Sequence, residues 1–186
     1  MTPGAEMTAE ISVVRLTAVD SWSDRMQELD PIFFEASATR FFPDEAARQA
    51  FRERWLGRYL VHWPDMAHVA MDDGGAILGY IVGACEDPAD DPLFDDIGYW
   101  PHIAHLTARY PGHLHINLAA EARNRGIGQA LIAAFLSDLR RKGVSGVHLV
   151  TGRDSRNRSF YARCGFEEAA SLEWGGTPIV MLARQL

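Results

Sequence analysis

The sequence predicts an α/β (α+β) domain in which helices cover one sheet. Three observations carry that class. Strand-like β-branched runs recur from Ile11 to the tail, two helical segments fall between the late strands, and 186 residues suit one domain. The run "ISVVRLT" from Ile11 alternates and reads as a first strand. Asp20 or Ser23 is placed to cap a helix through "DRMQELDPIFFEA", which Pro31 would kink or divide. "FPDEAARQAFRERWLGRYL" opens on Pro43 and Asp44 and repeats Phe51, Trp55 and Tyr59 every four residues, the spacing of one helix face.

In "AHVAMDDGGAILGYIVGA" two apolar runs flank Asp72-Asp73-Gly74-Gly75, so a hairpin is expected. "CEDPADDPLFDD" is a Pro- and Asp-rich loop, and "IGYWPHIAHLTARYPG" turns helical after Pro101. The strand "LHINL", a long helix from Ile127 and the strand "GVHLVT" follow. A short helix in "SRNRSFYARCGF" stops at Gly165, and "TPIVMLARQL" is a last strand.

Composition narrows the function. A hydrophobic fraction of 47% and a charged fraction of 23% are those of a globular chain, and no apolar run approaches a membrane span. Residues 1–10, "MTPGAEMTAE", lack the basic flank and apolar centre of a signal peptide and read as a poorly ordered lead-in. A formal net charge of −7 argues against nucleic acid as a partner, and it suits a cationic or amine one. Two cysteines, Cys85 and Cys164, make neither a disulfide framework nor a thiolate zinc site, so a cytoplasmic location is expected. The acidic loop around Asp87, Asp90, Asp91, Asp95 and Asp96 lacks EF-hand spacing. His102 and His105 lack a further carboxylate at ligand spacing, and no metal site is expected.

The chemistry starts at "RNRGIG", Arg123 to Gly128. Gly126 and Gly128 bare the backbone where a helix begins, and that helix presents unsatisfied N–H donors and a partial positive charge. Ile127, Leu131, Phe135 and Leu139 stripe its buried face, while Arg140, Arg141 and Lys142 suit its negative end before Gly143 stops it. Flanked by Arg123 and Arg125, such a start is an anion site suited to phosphates. No Gly-Lys-Ser/Thr follows, which excludes a Walker loop, and Leu131 stands where a dinucleotide fingerprint needs its third glycine.

What remains, Arg-x-x-Gly-x-Gly, resembles the pyrophosphate loop of the GCN5-related N-acetyltransferases (GNAT). The later Phe-Tyr-x-x-x-Gly-Phe of "NRSFYARCGFEE" resembles that family's second signature. From about Tyr99 onward the chain further resembles the acetyltransferase-like C-terminal domain of O-GlcNAcase and its free-standing bacterial relatives. That eukaryotic domain is regarded as a pseudo-acetyltransferase with a degraded loop, whereas "RNRGIG" is whole here.

The resemblance implies one domain over 11–186 with a mixed, mostly antiparallel sheet flanked by helices. It implies acetyl-coenzyme A as cosubstrate, held by Arg123, Arg125, Gly126, Ile127, Gly128 and Gln129. Direct acetyl transfer to an unidentified amine, small or on a peptide, is the implied activity; the alternative is a pseudo-enzyme that binds the coenzyme or a protein. Backbone N–H groups near Leu118 and Ala119, at the splayed end of the fourth strand, would stabilise the developing oxyanion. Tyr161 takes the family's tyrosine position and would protonate the leaving sulfur.

His113, His115 and Asn117 share one face of an alternating strand, which makes His115 a candidate base, ahead of His113; a bulge there would exchange the faces. Asp154 is read as the cap of the tyrosine helix, with general base as its other role. Asn157 either reaches the pantetheine arm or sits on the exposed helix face. Phe41, Phe42 and Trp100 are candidates to touch the acceptor. Pairing through an exposed last strand would give a homodimer.

Overall fold

The computed structural model describes residues 10–186. The lead-in expected over residues 1–10 therefore lies, but for Glu10, outside the described residues. Seven strands form one sheet: β1 (Ser12–Arg15), β2 (His68–Met71), β3 (Ile77–Ala84), β4 (Gly112–Leu118), β5 (Gly146–Gly152), β6 (Glu167–Trp174) and β7 (Thr177–Gln185). Their order across the sheet is β1-β2-β3-β4-β5-β7-β6. Every neighbouring pair is antiparallel except β4 and β5, so the sheet is mixed. This is the single mixed, helix-flanked sheet that the sequence predicts.

Helices cover both faces. The first segment divides into α1 (Trp22–Arg25) and α2 (Leu29–Ala36), separated by a 3-10 turn at Met26–Glu28. The division falls ahead of Pro31, which sits in the first turn of α2, where a missing N–H costs nothing. Neither expected cap forms: Ser21 precedes α1 in a left-handed conformation and its side chain caps nothing. The next segment starts as expected. Asp44 accepts a 2.7 Å bond from the Ala47 N–H and caps α3 (Glu45–Arg52). A π-type turn at Glu53–Gly57 then leads into α4 (Arg58–His62), carrying the buried Tyr59.

α5 (Trp100–Thr107) opens on Trp100 and Pro101. The long α6 (Ile127–Arg141) lays Ile127, Leu131, Phe135 and Leu139 into the core, each no more than 3% exposed. It lies so close to the sheet that a Cβ on Gly83 would run into the Phe135 ring and the His113 carbonyl. α7 (Arg158–Arg163) follows β5 and carries the buried Tyr161.

One strand is absent from the sequence reading. β6 is rich in Glu and Ala, weak strand formers, and only Ala170, Leu172 and Trp174 turn partly inward. It exists because β7 pairs with it through the tight Gly175-Gly176 turn, a hairpin signal the sequence does contain. Its presence corrects the expected dimer edge. The last strand, β7, lies between β5 and β6 with both sides paired, and the edge strands are β1 and β6.

A buried ion cluster ties the first edge of the sheet to α6. The Asp138 carboxylate, 3% exposed, meets the Arg15 guanidinium at 2.8 Å, His68 Nε2 at 3.4 Å, and Arg141. Deleting the carboxylate strands a cation beside a buried imidazole. Asp138→Ala is expected to lower stability by about 1–3 kcal/mol, read as a drop in the urea unfolding midpoint at unchanged slope.

Candidate active site

β4 pairs with β5 at only two positions, Gly112 with Val147 and His113 with His148. Beyond them the strands part. On its other side β4 stays in unbroken register with β3 from His113 to Leu118, so no bulge exchanges its faces. The hydrogen-bond parity then decides which peptide groups are free. Ala119 N–H donates to the Leu78 carbonyl at 3.0 Å. Bonded pairs alternate along an antiparallel ladder, so His115 and Asn117 also bond toward β3, while Ile116 and Leu118 turn their N–H and C=O toward β5. Ala119 is thereby corrected as an oxyanion donor, because its N–H is already used. The Leu118 and Ile116 amides face the gap.

That gap is a notch of about 150 Å³, walled by Ile116, Asn117, Thr151, Asn157 and Tyr161 with His115 at its side. Burial pushes the Tyr161 phenol well above its ordinary range, so it is a neutral donor at every working pH. Asn157 Oδ1 accepts from Thr151 Oγ1 at 3.3 Å, which fixes the amide at the rim.

The glycine loop follows the end of β4, where Gly128 packs against Leu118. Gly126 adopts φ 79°, a left-handed turn that bare glycine enters without strain, and α6 begins at the next residue. Within the first turn, Ala130 N–H is bonded, to the Gly126 carbonyl, leaving the N–H groups of Ile127, Gly128 and Gln129 without in-helix acceptors. Gly128 lies against the Phe160 ring and Leu118, so α6, α7 and β4 meet at this glycine. Arg123 reaches back, its Nε and an Nη donating to the Leu118 carbonyl at 3.3 and 3.2 Å. Arg125 is exposed and makes no ion pair among the described residues. The helix start thus packs against the end of β4 and against Phe160, the neighbour of Tyr161 on α7.

The histidines divide. His115 borders the notch, whereas His113 is 3% exposed and lies behind it. The Tyr59 hydroxyl stands 3.2 Å from His113 Nδ1 and 3.2 Å from His115 Nε2. The Trp55 ring meets His115 edge-on at 5.4 Å, and Asn117 donates to the Tyr80 hydroxyl at 2.8 Å. His148 stacks on His113 at 5.7 Å and its Nδ1 contacts the Tyr110 carbonyl at 2.6 Å. Burial, reinforced by neighbouring imidazoles and Arg58, lowers His115 to about 4 and His113 well below its ordinary value; burial likewise takes His148 to about 4. All three are neutral at pH 7.

Asp154 does not enter the notch. It is exposed, in a shallow depression beside Arg153 and Arg156, and makes no cap bond; Asn157 holds the N-cap position, also without a side-chain cap bond. Both expected roles of Asp154 are thus corrected: local spacing put it ahead of the helix, but the turn points it away. Trp100 is likewise in the core against His148, and Phe42 packs on Phe34 and Phe51, while Phe41 is 82% exposed. In the acidic loop, Asp96 pairs with Arg54 and Arg58 and Asp91 caps a 3-10 turn. Thr151 and Tyr80 escaped the sequence reading: the turn from β5 into α7 brings Thr151 beside Asn157, and the β3–β4 pairing brings Tyr80 beside Asn117.

This geometry meets a family model directly. Residues 63–168, more than half of the chain, match the acetyltransferase (GNAT) domain. The chain belongs to the GNAT acetyltransferase family. Solved structures agree with the assignment. The protein called SsHAT is 26% identical over 95% of this chain and 98% of that one, with a TM-score of 0.72. Two more distant GNAT-type folds are a phosphinothricin acetyltransferase from Sinorhizobium meliloti in complex with AcCoA and the PaiA N-acetyltransferase from Thermoplasma acidophilum in complex with coenzyme A. The first is 19% identical, covering 97% and 89% of the two chains at a TM-score of 0.59. The second is 15% identical, covering 95% and 99% at 0.61. Among the described residues, no helix of this GNAT domain is long and apolar enough to cross a membrane.

The neutral histidines have a measurable consequence. Their folded-state values lie below the unfolded value of 6.5, so between pH 6.5 and about 4 the unfolded chain binds more protons. Stability is therefore full above pH 6.5 and falls on acidification, by about 1.4 kcal/mol per pH unit for each such histidine. Urea unfolding midpoints at pH 7, 6 and 5 should decline steadily.

Proposed function

We propose that this protein is an acetyl-coenzyme A-dependent N-acetyltransferase that passes the acetyl group directly to an amine. The observation that carries the proposal is the notch that opens where β4 leaves β5, with Tyr161 on its wall and the Gly126 helix start packed through Gly128 on Leu118 at the end of β4. The three free N–H groups of Ile127, Gly128 and Gln129 suit a diphosphate, with Arg125 adding charge from the rim. The Leu118 and Ile116 amides suit a pantetheine arm lying along β4 as a missing strand would, and then the carbonyl oxygen of the thioester. Relatives in complex with AcCoA or coenzyme A support that choice of cosubstrate.

In the reaction the amine nitrogen attacks the thioester carbon, the carbonyl oxygen gains charge, and the carbon–sulfur bond breaks as the amide forms. Donors already aimed at that oxygen stabilise the charge without reorganising. The attacking nitrogen releases its extra proton to solvent water, while Tyr161, neutral and buried, gives its proton to the departing thiolate and regains one from solvent. His115 meets the acceptor as an uncharged imidazole, and its tautomer decides what it contributes. The free thiols Cys85 and Cys164 support a reducing, cytoplasmic setting.

A second reading has its own support. No carboxylate lines the notch, and the second half resembles the acetyltransferase-like domain of O-GlcNAcase. A protein that binds the coenzyme, or a partner, without turnover would fit both facts.

Two measurements separate these. Acetyl-coenzyme A at about a hundredfold its dissociation constant should add about 2.7 kcal/mol to folding, where ATP and NAD add nothing. Tyr161→Phe should keep that stabilisation yet lower thiol release with an amine acceptor about a hundredfold or more. Binding with no transfer over a broad amine and peptide panel would favour the non-catalytic reading.

A further inference from the structure

One phenol hydrogen serves two imidazole nitrogens at the Tyr59 hydroxyl. Each contact needs one donor, so two arrangements exist. In the first, His113 Nδ1–H donates to the Tyr59 oxygen and the Tyr59 O–H donates to His115 Nε2. In the second, both bonds run the other way. Every other proton follows from this choice, because each neutral imidazole carries one.

The far ends of the two rings decide it. His113 Nε2 is fully buried and has no hydrogen-bond partner among the described residues. The second arrangement would put the His113 proton there, as a buried N–H with no acceptor. The first leaves only a bare lone pair at that atom, and it puts the spare proton of His115 on Nδ1, which is not among the fully buried unpartnered atoms, on a side chain that lines the notch. Orphaned buried N–H groups are rarer and costlier than under-used acceptors, so the first arrangement is preferred. The neighbouring ring cannot change this, since His148 Nδ1 must donate to the Tyr110 carbonyl, an acceptor only.

We infer that Tyr59 is a positioning residue that locks His115 as the Nδ1–H tautomer, so that His115 offers the notch a hydrogen-bond donor for a substrate oxygen and not a base for the amine proton. His115 Nε2, its lone pair, is already held by Tyr59. The groups that face His115 are Tyr59 and Trp55 from the helical layer, Arg58 nearby on α4 and paired with Asp96, His113 on the same strand and His148 on β5. The groups facing the ring are uncharged rings and a cation, and the nearby Asp96 carboxylate is held by Arg54 and Arg58. The purpose of the lock rests on the acetyl-transfer proposal; its geometry does not.

Histidine 15N spectra of the intact protein at pH 7.5 test the lock without any substrate. The His115 signals, assigned by their loss in His115→Asn, should show a protonated Nδ1 and a bare Nε2. In Tyr59→Phe the pair should move toward the averaged values of a free imidazole, with an unchanged circular dichroism spectrum reporting an intact fold. A protonated Nε2 on His115 in the parent protein overturns the inference.

With an active acceptor in hand, side-chain substitutes read the role. The Asn amide N–H₂ occupies the place of Nδ1–H, so His115→Asn should keep the rate within about threefold, whereas His115→Gln should lose about tenfold or more. Equal losses in both would overturn the donor role and mark His115 as a proton acceptor. If no acceptor is ever turned over, the acetyl-transfer proposal fails while the spectra still decide the tautomer.

Discussion

The parting of β4 from β5 is the constraint on which the site depends. An antiparallel neighbour holds β4 from His113 to Leu118, while its parallel neighbour holds it for two residues. Peptide groups that would complete a sheet are thereby left facing a gap, and a polar backbone facing a gap invites a ligand in place of a strand. The rest of the site is arranged around that opening. Arg123 secures the Leu118 carbonyl at the end of β4, the first turn of α6 packs on Leu118 through Gly128, and α7 puts Tyr161 on a wall of the notch.

Behind the opening lies a layer that is unusual for a core. His113 stacks on His148 and meets Tyr59, Phe94 and Trp100 edge-on, and both histidines, like His115, are uncharged at neutral pH. Neutral imidazoles can be buried at modest cost when their nitrogens are bonded, as two of these are through one phenol. Such a network has few proton arrangements open to it, so it rigidifies the strand that carries the notch and couples it to α4. The π-type turn before α4 puts Trp55 against His115 while Tyr59 still reaches the buried nitrogens.

Several features were legible because they are local. The Gly126–Gly128 turn, the apolar stripe from Ile127 to Leu139, the Asp44 cap and the hairpin at Gly75 each follow from neighbours within a few residues. The resemblance to the GNAT family added Tyr161, whose placement no spacing rule could supply. Asp154 shows the limit of local reasoning, for a residue just ahead of a helix need not point along it. Ala119 shows another, because whether an amide is free depends on ladder parity set by β3, forty residues away in the chain. β6 eluded the sequence reading because an edge strand of Glu and Ala owes its form to its partner.

By itself the sequence determined the fold class, the glycine turn that starts α6 and the family, since periodicity, glycine placement and short motifs act over a few residues. Only the tertiary structure decided which amides face the notch, that β7 is interior, and that Tyr59 stands between two histidines. Those outcomes depend on register and strand order, which arise when distant segments pack and leave no mark on any single stretch of chain.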